Sequence, residues 1–200
     1  MIIKTIPAGM LSANCYVIYD EATRDALVLD PGGDEDIIID NIEKLKLNIK
    51  AILLTHGHMD HVGALKAIAD RYKVKTYVNK RDIELMKKGS YVYGKLPDIE
   101  VTFVEDKDVI HMDNIHVQCI WTPGHTPGGM CFLIEDNLFS GDTLFQGSIG
   151  RTDFEGGDYN TIIKSIIEQL MILEDNVTVY PGHGGTTTII RERNYNPFIN

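Results

Sequence analysis

His56, His58, Asp60 and His61 fall within six residues at the spacing H-x-H-x-D-H. Each offers a nitrogen or oxygen donor to a divalent cation. A lone histidine beside a strand is usually an ordinary core or surface residue, but four donors crowded into one short stretch point to metal. Three more donors repeat the setting: His125 in Thr122-Pro123-Gly124-His125-Thr126-Pro127-Gly128, Asp142 in Ser140-Gly141-Asp142, and His183 in Pro181-Gly182-His183-Gly184. Each stands in a Gly- or Pro-containing turn just after an apolar run. Zinc takes about four ligands, so seven donors suit two ions that share a carboxylate. Two ions about 3.5–4 Å apart can hold a hydroxide between them at neutral pH and polarise a carbonyl together. The chemistry implied is hydrolysis.

These donors need rigid elements to hold them. Ala51-Ile52-Leu53-Leu54 reads as a buried strand, and Val62, Leu65, Ile68, Ala69 and Tyr72 fall at helical spacing. The first four donors therefore occupy a strand-to-helix turn. Gly57 is expected to let His56 and His58 converge by adopting backbone angles barred to other residues, and Asp60 gains from the helix N-terminus. Ile2 to Ile6, Cys15 to Tyr19 and Ala26 to Leu29 read as an opening meander, after which Asp34 is placed to cap a helix running to about Leu45. A strand at Lys75 to Val78 and a short helix at Arg81 to Lys87 follow. Gly89 to Pro97 reads as a surface loop, or else a lid over the site. Strands are expected at Val101 to Val104, His116 to Trp121, Met130 to Ile134, Asn137 to Phe139 and Val177 to Tyr180. Between the last two come a Gly-rich loop from Phe145 to Gly157 and a helix from Thr161 to Leu173. Meanders and helices alternate in two similar blocks, roughly 1–72 and 100–173. This pattern predicts one domain over residues 1–200, of α/β (α+β) class, with two sheets face to face and helices outside: a four-layer αββα sandwich.

The totals exclude several function classes. The formal net charge is −10, and no Lys/Arg cluster offers the basic face that nucleic-acid binding needs. No run approaches the roughly 18 apolar residues of a membrane helix. The N-terminus lacks the apolar core of a signal peptide. Three cysteines, Cys15, Cys119 and Cys131, without a C-x-x-C pair, argue against disulfides and fit a reducing cytoplasm. His111 and His116 lack glycine flanks and read as structural. Asp30, beside Pro31-Gly32, reads as a turn residue near the site, or as one that supports a ligand.

T-H-x-H-x-D-H, T-P-G-H-T-P-G, S-G-D-T-L-F and P-G-H-G, in that order along nearly the whole chain, resemble the metallo-β-lactamase superfamily. Within it the pattern is similar to the glyoxalase II (hydroxyacylglutathione hydrolase) branch, in its short single-domain bacterial form. The resemblance implies an αββα fold, with His56, His58 and His125 on a first metal, Asp60, His61 and His183 on a second, and Asp142 bridging them. Zinc is the first expectation, with iron or manganese as alternatives. It also implies a thioesterase acting on hydroxyacylglutathione-type substrates, with Asp60 orienting the metal-bridging hydroxide and taking up its proton. The thiolate leaving group, with a pKa of about 8.5, needs little help from a general acid.

The partner implied is thus a small molecule, an anionic thioester. Longer enzymes of this branch carry a C-terminal helical segment that helps to hold glutathione; here only Arg191 to Pro197 and a short tail follow Pro181-Gly182-His183-Gly184, so that half of the pocket is expected to be missing. Arg151 falls where they place a glutathione-contacting lysine, with Asp153 in place of their tyrosine. Arg151 therefore reads either as an anion contact or as half of an Arg–Asp pair that shapes its loop. The competing resemblance is to persulfide dioxygenases, which share these motifs and would use a single iron on His56, His125 and Asp142.

Overall fold

The structure is a computed structural model that describes residues 1–199. Its first half is a six-stranded sheet in the order of the sequence: β1 (Ile2–Ala8), β2 (Ala13–Tyr19), β3 (Asp25–Leu29), β4 (Asn48–Leu53), β5 (Lys75–Val78) and β6 (Val101–Phe103). The first three strands pair antiparallel as a meander. From β3 onward the pairings are parallel, so the chain must cross over between strands. The crossovers carry α1 (Glu35–Lys44), α2 (Met59–Val62), α3 (Leu65–Tyr72) and α4 (Lys80–Lys88).

The second sheet contains β7 (Val109–Met112), β8 (Ile115–Trp121), β9 (Met130–Ile134) and β10 (Asn137–Gly141). After β10 come a small separate hairpin, β11 (Leu144–Phe145) with β12 (Ser148–Ile149), then α5 (Tyr159–Ser165) and a π-helical turn over Ile166–Leu170. β13 (Thr178–Pro181) and β14 (Thr187–Thr188) complete the sheet in the order β14-β13-β10-β9-β8-β7, and α6 (Ile189–Tyr195) closes the fold.

Alternation along the strands builds three cores. In β2, Cys15, Val17 and Tyr19 face the α1/α3/α4 side, while Tyr16 and Ile18 face the other sheet. In β9, Met130, Phe132 and Ile134 meet that inter-sheet core and Cys131 faces α5. Because every central strand is covered on both faces, β2 and β3 are buried along their whole length. The layers are helix, sheet, sheet, helix, as the sequence predicts. No helix among the described residues is long and apolar enough to cross a membrane.

Some local expectations need correction. Asp34 does not cap α1 through its side chain: it is left-handed, with φ of 51°, and its carboxylate accepts from the Gly9 N–H at 2.8 Å, tying the helix start to the β1–β2 turn. The predicted helix from Thr161 widens into the π-helical turn at Ile166 instead of running unbroken to Leu173. The loop from Phe145 contains the β11–β12 hairpin, which two-residue strands conceal. The first block extends through Phe103, because β5 and β6 join its sheet.

Candidate metal centre

The seven donors meet at one end of the sandwich. β4 ends at Leu53, and the turn that follows presents His56, His58, Asp60 and His61 into and along α2. His125 follows β8, Asp142 follows β10 and His183 follows β13. Two groups form. Donor atoms of His56, His58 and His125 lie within 4.8 Å of one another, as do those of Asp60, His61 and His183. Asp142 touches both groups: its carboxylate is 3.6 Å from His125 Nε2, 3.5 Å from His61 Nε2 and 3.7 Å from His183 Nε2. The Nε2 atoms of His56, His58 and His61 and Oδ1 of Asp142 are buried and make no hydrogen bond. Buried polar atoms are nearly always paired, so His56 Nε2, His61 Nε2 and Asp142 Oδ1 fit ion ligation, while His58 faces the group through Nδ1, 3.0 Å from His125 Nε2. Asp30, His56 and His61 also converge within 4.8 Å. Asp30, however, spends its oxygens on the Thr55 N–H (2.8 Å), the Thr55 hydroxyl (2.6 Å) and His61 Nδ1 (3.0 Å). It is fully buried, has φ of 49° and orients His61, so both sequence readings of Asp30 hold together.

Backbone and side-chain contacts fix each turn. His125 Nδ1 lies 2.7 Å from the Arg151 carbonyl, which assigns its proton to Nδ1 and leaves Nε2 open. Asn14 Nδ2 donates to the carbonyls of Pro181 and Gly184, and the Tyr16 hydroxyl donates to Pro181 at 2.6 Å, so β2 holds the His183 turn. A Cβ on Gly182 would come 2.2 Å from Asp142 Oδ1, which only glycine avoids. Gly57 serves differently from the expectation. It has no positive φ; instead its missing side chain makes room for Met86 and the Tyr93 ring, which a Cβ would meet at 3.0–3.1 Å.

Electrostatics separates the two groups. Burial drives His56, His58 and His125 below the usual histidine range, His58 to about 3, so these rings are neutral donors. Burial alone would also depress His61, but Asp142, Asp30 and Asp60 outweigh it and lift it to about 9. Burial would raise Asp60, yet the His183 hydrogen bond (3.2 Å) and the charge of His61 hold it at about 2.

Sequence reasoning missed Asp82. It stands in the first turn of α4, where a carboxylate is unremarkable beside a helix N-terminus. In the fold it is fully buried and accepts from the Gly57 N–H (2.8 Å), the Gly128 N–H (2.7 Å) and the Thr126 hydroxyl (2.8 Å). It thus ties the turn carrying His56 and His58 to the loop carrying His125. The sequence of the 89–97 segment fits a surface loop or a lid. It is docked on the site: Met59 N–H donates to Val92 O, Gly94 N–H to Gly57 O, and the buried Tyr93 ring lies 4.8 Å from that of His58. His111 and His116 stay outside the centre, paired across the exposed β7–β8 hairpin with their Nδ1 atoms 3.0 Å apart.

A cleft of about 510 Å³ opens over the donors, lined by His58, Asp60, His125, Asp142 and His183 below and mainly by apolar side chains around them. Arg151 reaches its edge. Its Nε and a terminal nitrogen each sit 2.8 Å from Asp153, and its guanidinium lies 3.7 Å from the Phe154 ring centre. The Arg–Asp pair foreseen as one reading of Arg151 is therefore present.

Residues 8–183 match the family model of the metallo-beta-lactamase superfamily. The chain belongs to the metallo-beta-lactamase superfamily. Among curated members it is 39% identical over 211 residues to the hydroxyacylglutathione hydrolase GloC of Haemophilus influenzae, covering 100% of this chain and 99% of that one. Among solved members it is 34% identical to the BLEG-1 B3 metallo-beta-lactamase, with a TM-score of 0.90 and 99% of each chain covered. TTHA1623, solved in a di-iron-bound form, is 30% identical with a TM-score of 0.86, over 98% of this chain and 99% of that one. The superfamily's metallo-hydrolase character and its divalent-metal dependence accord with the His/Asp groups described above.

Proposed function

We propose that this protein is a binuclear metal-dependent thioester hydrolase of glyoxalase II type. His56, His58 and His125 would hold one ion and Asp60, His61 and His183 the other, with Asp142 between them. The observation that carries this reading is the convergence of seven donors in two groups, with Asp142 within 3.5–3.7 Å of histidines from both. Zinc is the first candidate; a His/Asp set also accepts iron or manganese, and TTHA1623 binds two irons. When bound, such ions supply an activated water and polarise a carbonyl.

The chain's own groups do the rest. Asp60, 3.2 Å from His183 and at the floor of the cleft, would orient the attacking water and take up its proton. Asp30 and the Arg151 carbonyl hold the rings of His61 and His125 in the tautomers that leave Nε2 free. The thiolate leaves unaided, its pKa lying near 8.5. The likeness to GloC makes hydroxyacylglutathione thioesters the first substrates to test; Arg151, at the cleft edge, is paired with Asp153. Three free, buried cysteines suit a reducing cytoplasm.

The test is anaerobic hydrolysis of S-D-lactoylglutathione by zinc-loaded protein, followed by loss of thioester absorbance. Rapid loss is expected, and Asp60→Ala should abolish most turnover with the fold intact; a near-normal rate in that variant would remove Asp60 from its role. A second reading, a mononuclear iron persulfide dioxygenase on His56, His125 and Asp142, is favoured by the His125–Asp142 approach of 3.6 Å. It predicts oxygen uptake with glutathione persulfide after iron loading and no thioester cleavage.

A further inference from the structure

We infer that the substrate is a thioester with an apolar acyl chain, recognised through that chain and not through charge on its thiol carrier; this rests on the thioester-hydrolase reading above. The argument begins with what surrounds the donors. Leu11 comes from the β1–β2 turn, Met59 from the start of α2 and Tyr91 from the docked 89–97 segment. Phe145 and Ile149 come from the β11–β12 hairpin, and Phe154 from the loop before α5. Five separate segments thus deliver apolar side chains to one cleft. Three of these residues stand well out in water, Leu11 at 64%, Tyr91 at 88% and Met59 at 47% exposure. Scattered single apolar residues on a surface need no explanation, but a contiguous apolar rim around a polar floor marks a ligand site.

The charge in the cleft leads the same way. Among the described residues that line it, Arg151 is the only lysine or arginine. Its guanidinium is already joined to Asp153 through two 2.8 Å contacts, and its flat face covers Phe154 at 3.7 Å. The pair therefore extends an aromatic platform beside His58, whose ring lies 5.9 Å from that of Phe154, and leaves little free positive charge. A carrier bearing free carboxylates would meet a single, already paired cation. An aliphatic or aryl acyl chain would meet five apolar segments.

The experiment is an acyl series, from acetyl through butyryl and hexanoyl to octanoyl, on uncharged N-acetylcysteamine, with the same acyl groups on glutathione. The zinc-loaded protein should show kcat/KM rising about three- to fourfold per buried methylene, and the change of carrier should alter it by less than about threefold. Leu11→Ser and Tyr91→Ser, both at exposed positions, should flatten the rise. Non-hydrolysable S-alkyl thioethers of N-acetylcysteamine should bind more tightly as the alkyl chain lengthens, in calorimetry on metal-free and metal-loaded protein alike. A flat or falling series, or a preference of about tenfold or more for the glutathione carrier, would overturn the inference and leave the thioesterase standing. Failure to cleave any thioester, lactoylglutathione included, would remove the thioesterase reading and the inference together.

Discussion

Asp30 lies behind His61 and carries the Thr55 N–H, the Thr55 hydroxyl and His61 Nδ1 on two oxygens. Such supporting carboxylates commonly contribute about 10–100-fold to metal affinity. Asp30→Ala should weaken binding by that order, measured by competition with a chromophoric chelator, and it should also cost roughly 1–3 kcal/mol of stability for the stranded Thr55 N–H. Unchanged affinity would reduce Asp30 to a turn former. Arg151 is the opposite case, exposed and already paired with Asp153. Exposed ion pairs contribute little, so Arg151→Ala should move KM for lactoylglutathione by less than about threefold; a rise of tenfold would make it the anion clamp. The seven donors were legible in the sequence because each sits in a local Gly/Pro turn after an apolar run. Asp82 was not. Its partners lie 25, 44 and 46 residues away, and nothing local separates it from an ordinary helix-start carboxylate.

At the scale of elements, α4 acts as a strut under two ligand-bearing loops. Asp82→Ala would leave two buried N–H groups and a hydroxyl without an acceptor and should cost about 3 kcal/mol or more, with looser metal binding alongside. Its titration gives a separate check. Burial lifts Asp82 to about 6, against hydrogen bonds that favour the ionised form. A carboxyl whose folded pKa exceeds its unfolded value keeps a proton that the unfolded chain sheds, so its ionisation opposes folding increasingly from about pH 4 to pH 6. Relative to Asp82→Asn, the native protein should lose up to roughly 3 kcal/mol across that window and no more above it, read from urea unfolding at a series of pH values. A constant difference would mean that Asp82 is ionised throughout. The long periodic elements were visible in the sequence, α1, α3, β2 and β8 among them. The β11–β12 hairpin was hidden because two-residue strands carry no period. The π-helical turn was hidden because its apolar residues fit an α-helix equally well. The docking of 89–97 rests on backbone bonds from Met59 and Gly94, which side-chain patterning does not report.

Across the whole molecule, the candidate centre lies on the seam between the two sheets. His56, His58, Asp60 and His61 belong to the first, and His125, Asp142 and His183 to the second. Ions bound there would fasten the halves together. At a free concentration of about 100 times each Kd, two ions stabilise the folded state by about 5 kcal/mol, and for a chain of this size each kcal/mol shifts Tm by about 2–4 °C. Stripping metal with a chelator should therefore lower Tm by roughly 10–20 °C, recovered on adding zinc; no shift would mean that the folded chain binds the ions no better than the unfolded one does. The four layers were readable from short apolar, β-rich runs between turns and from three apolar helix faces. The parallel pairing of β3 through β6 was not, because apolar runs alone do not reveal a partner's direction. The last helix supplies a closing consequence. Glu192 accepts from the Gly147 N–H, and Asn196 Nδ2 donates to Ser148 O, so α6 clamps the hairpin that walls the cleft. The hairpin itself follows the Asp142 turn directly, but its clamp comes from the far end of the chain. Sequence drift in the hairpin, its clamp and the Leu11 turn could re-address the catalyst to new acyl groups while its inorganic heart stayed untouched, and a laboratory library confined to those three places should yield new specificities with few inactive clones.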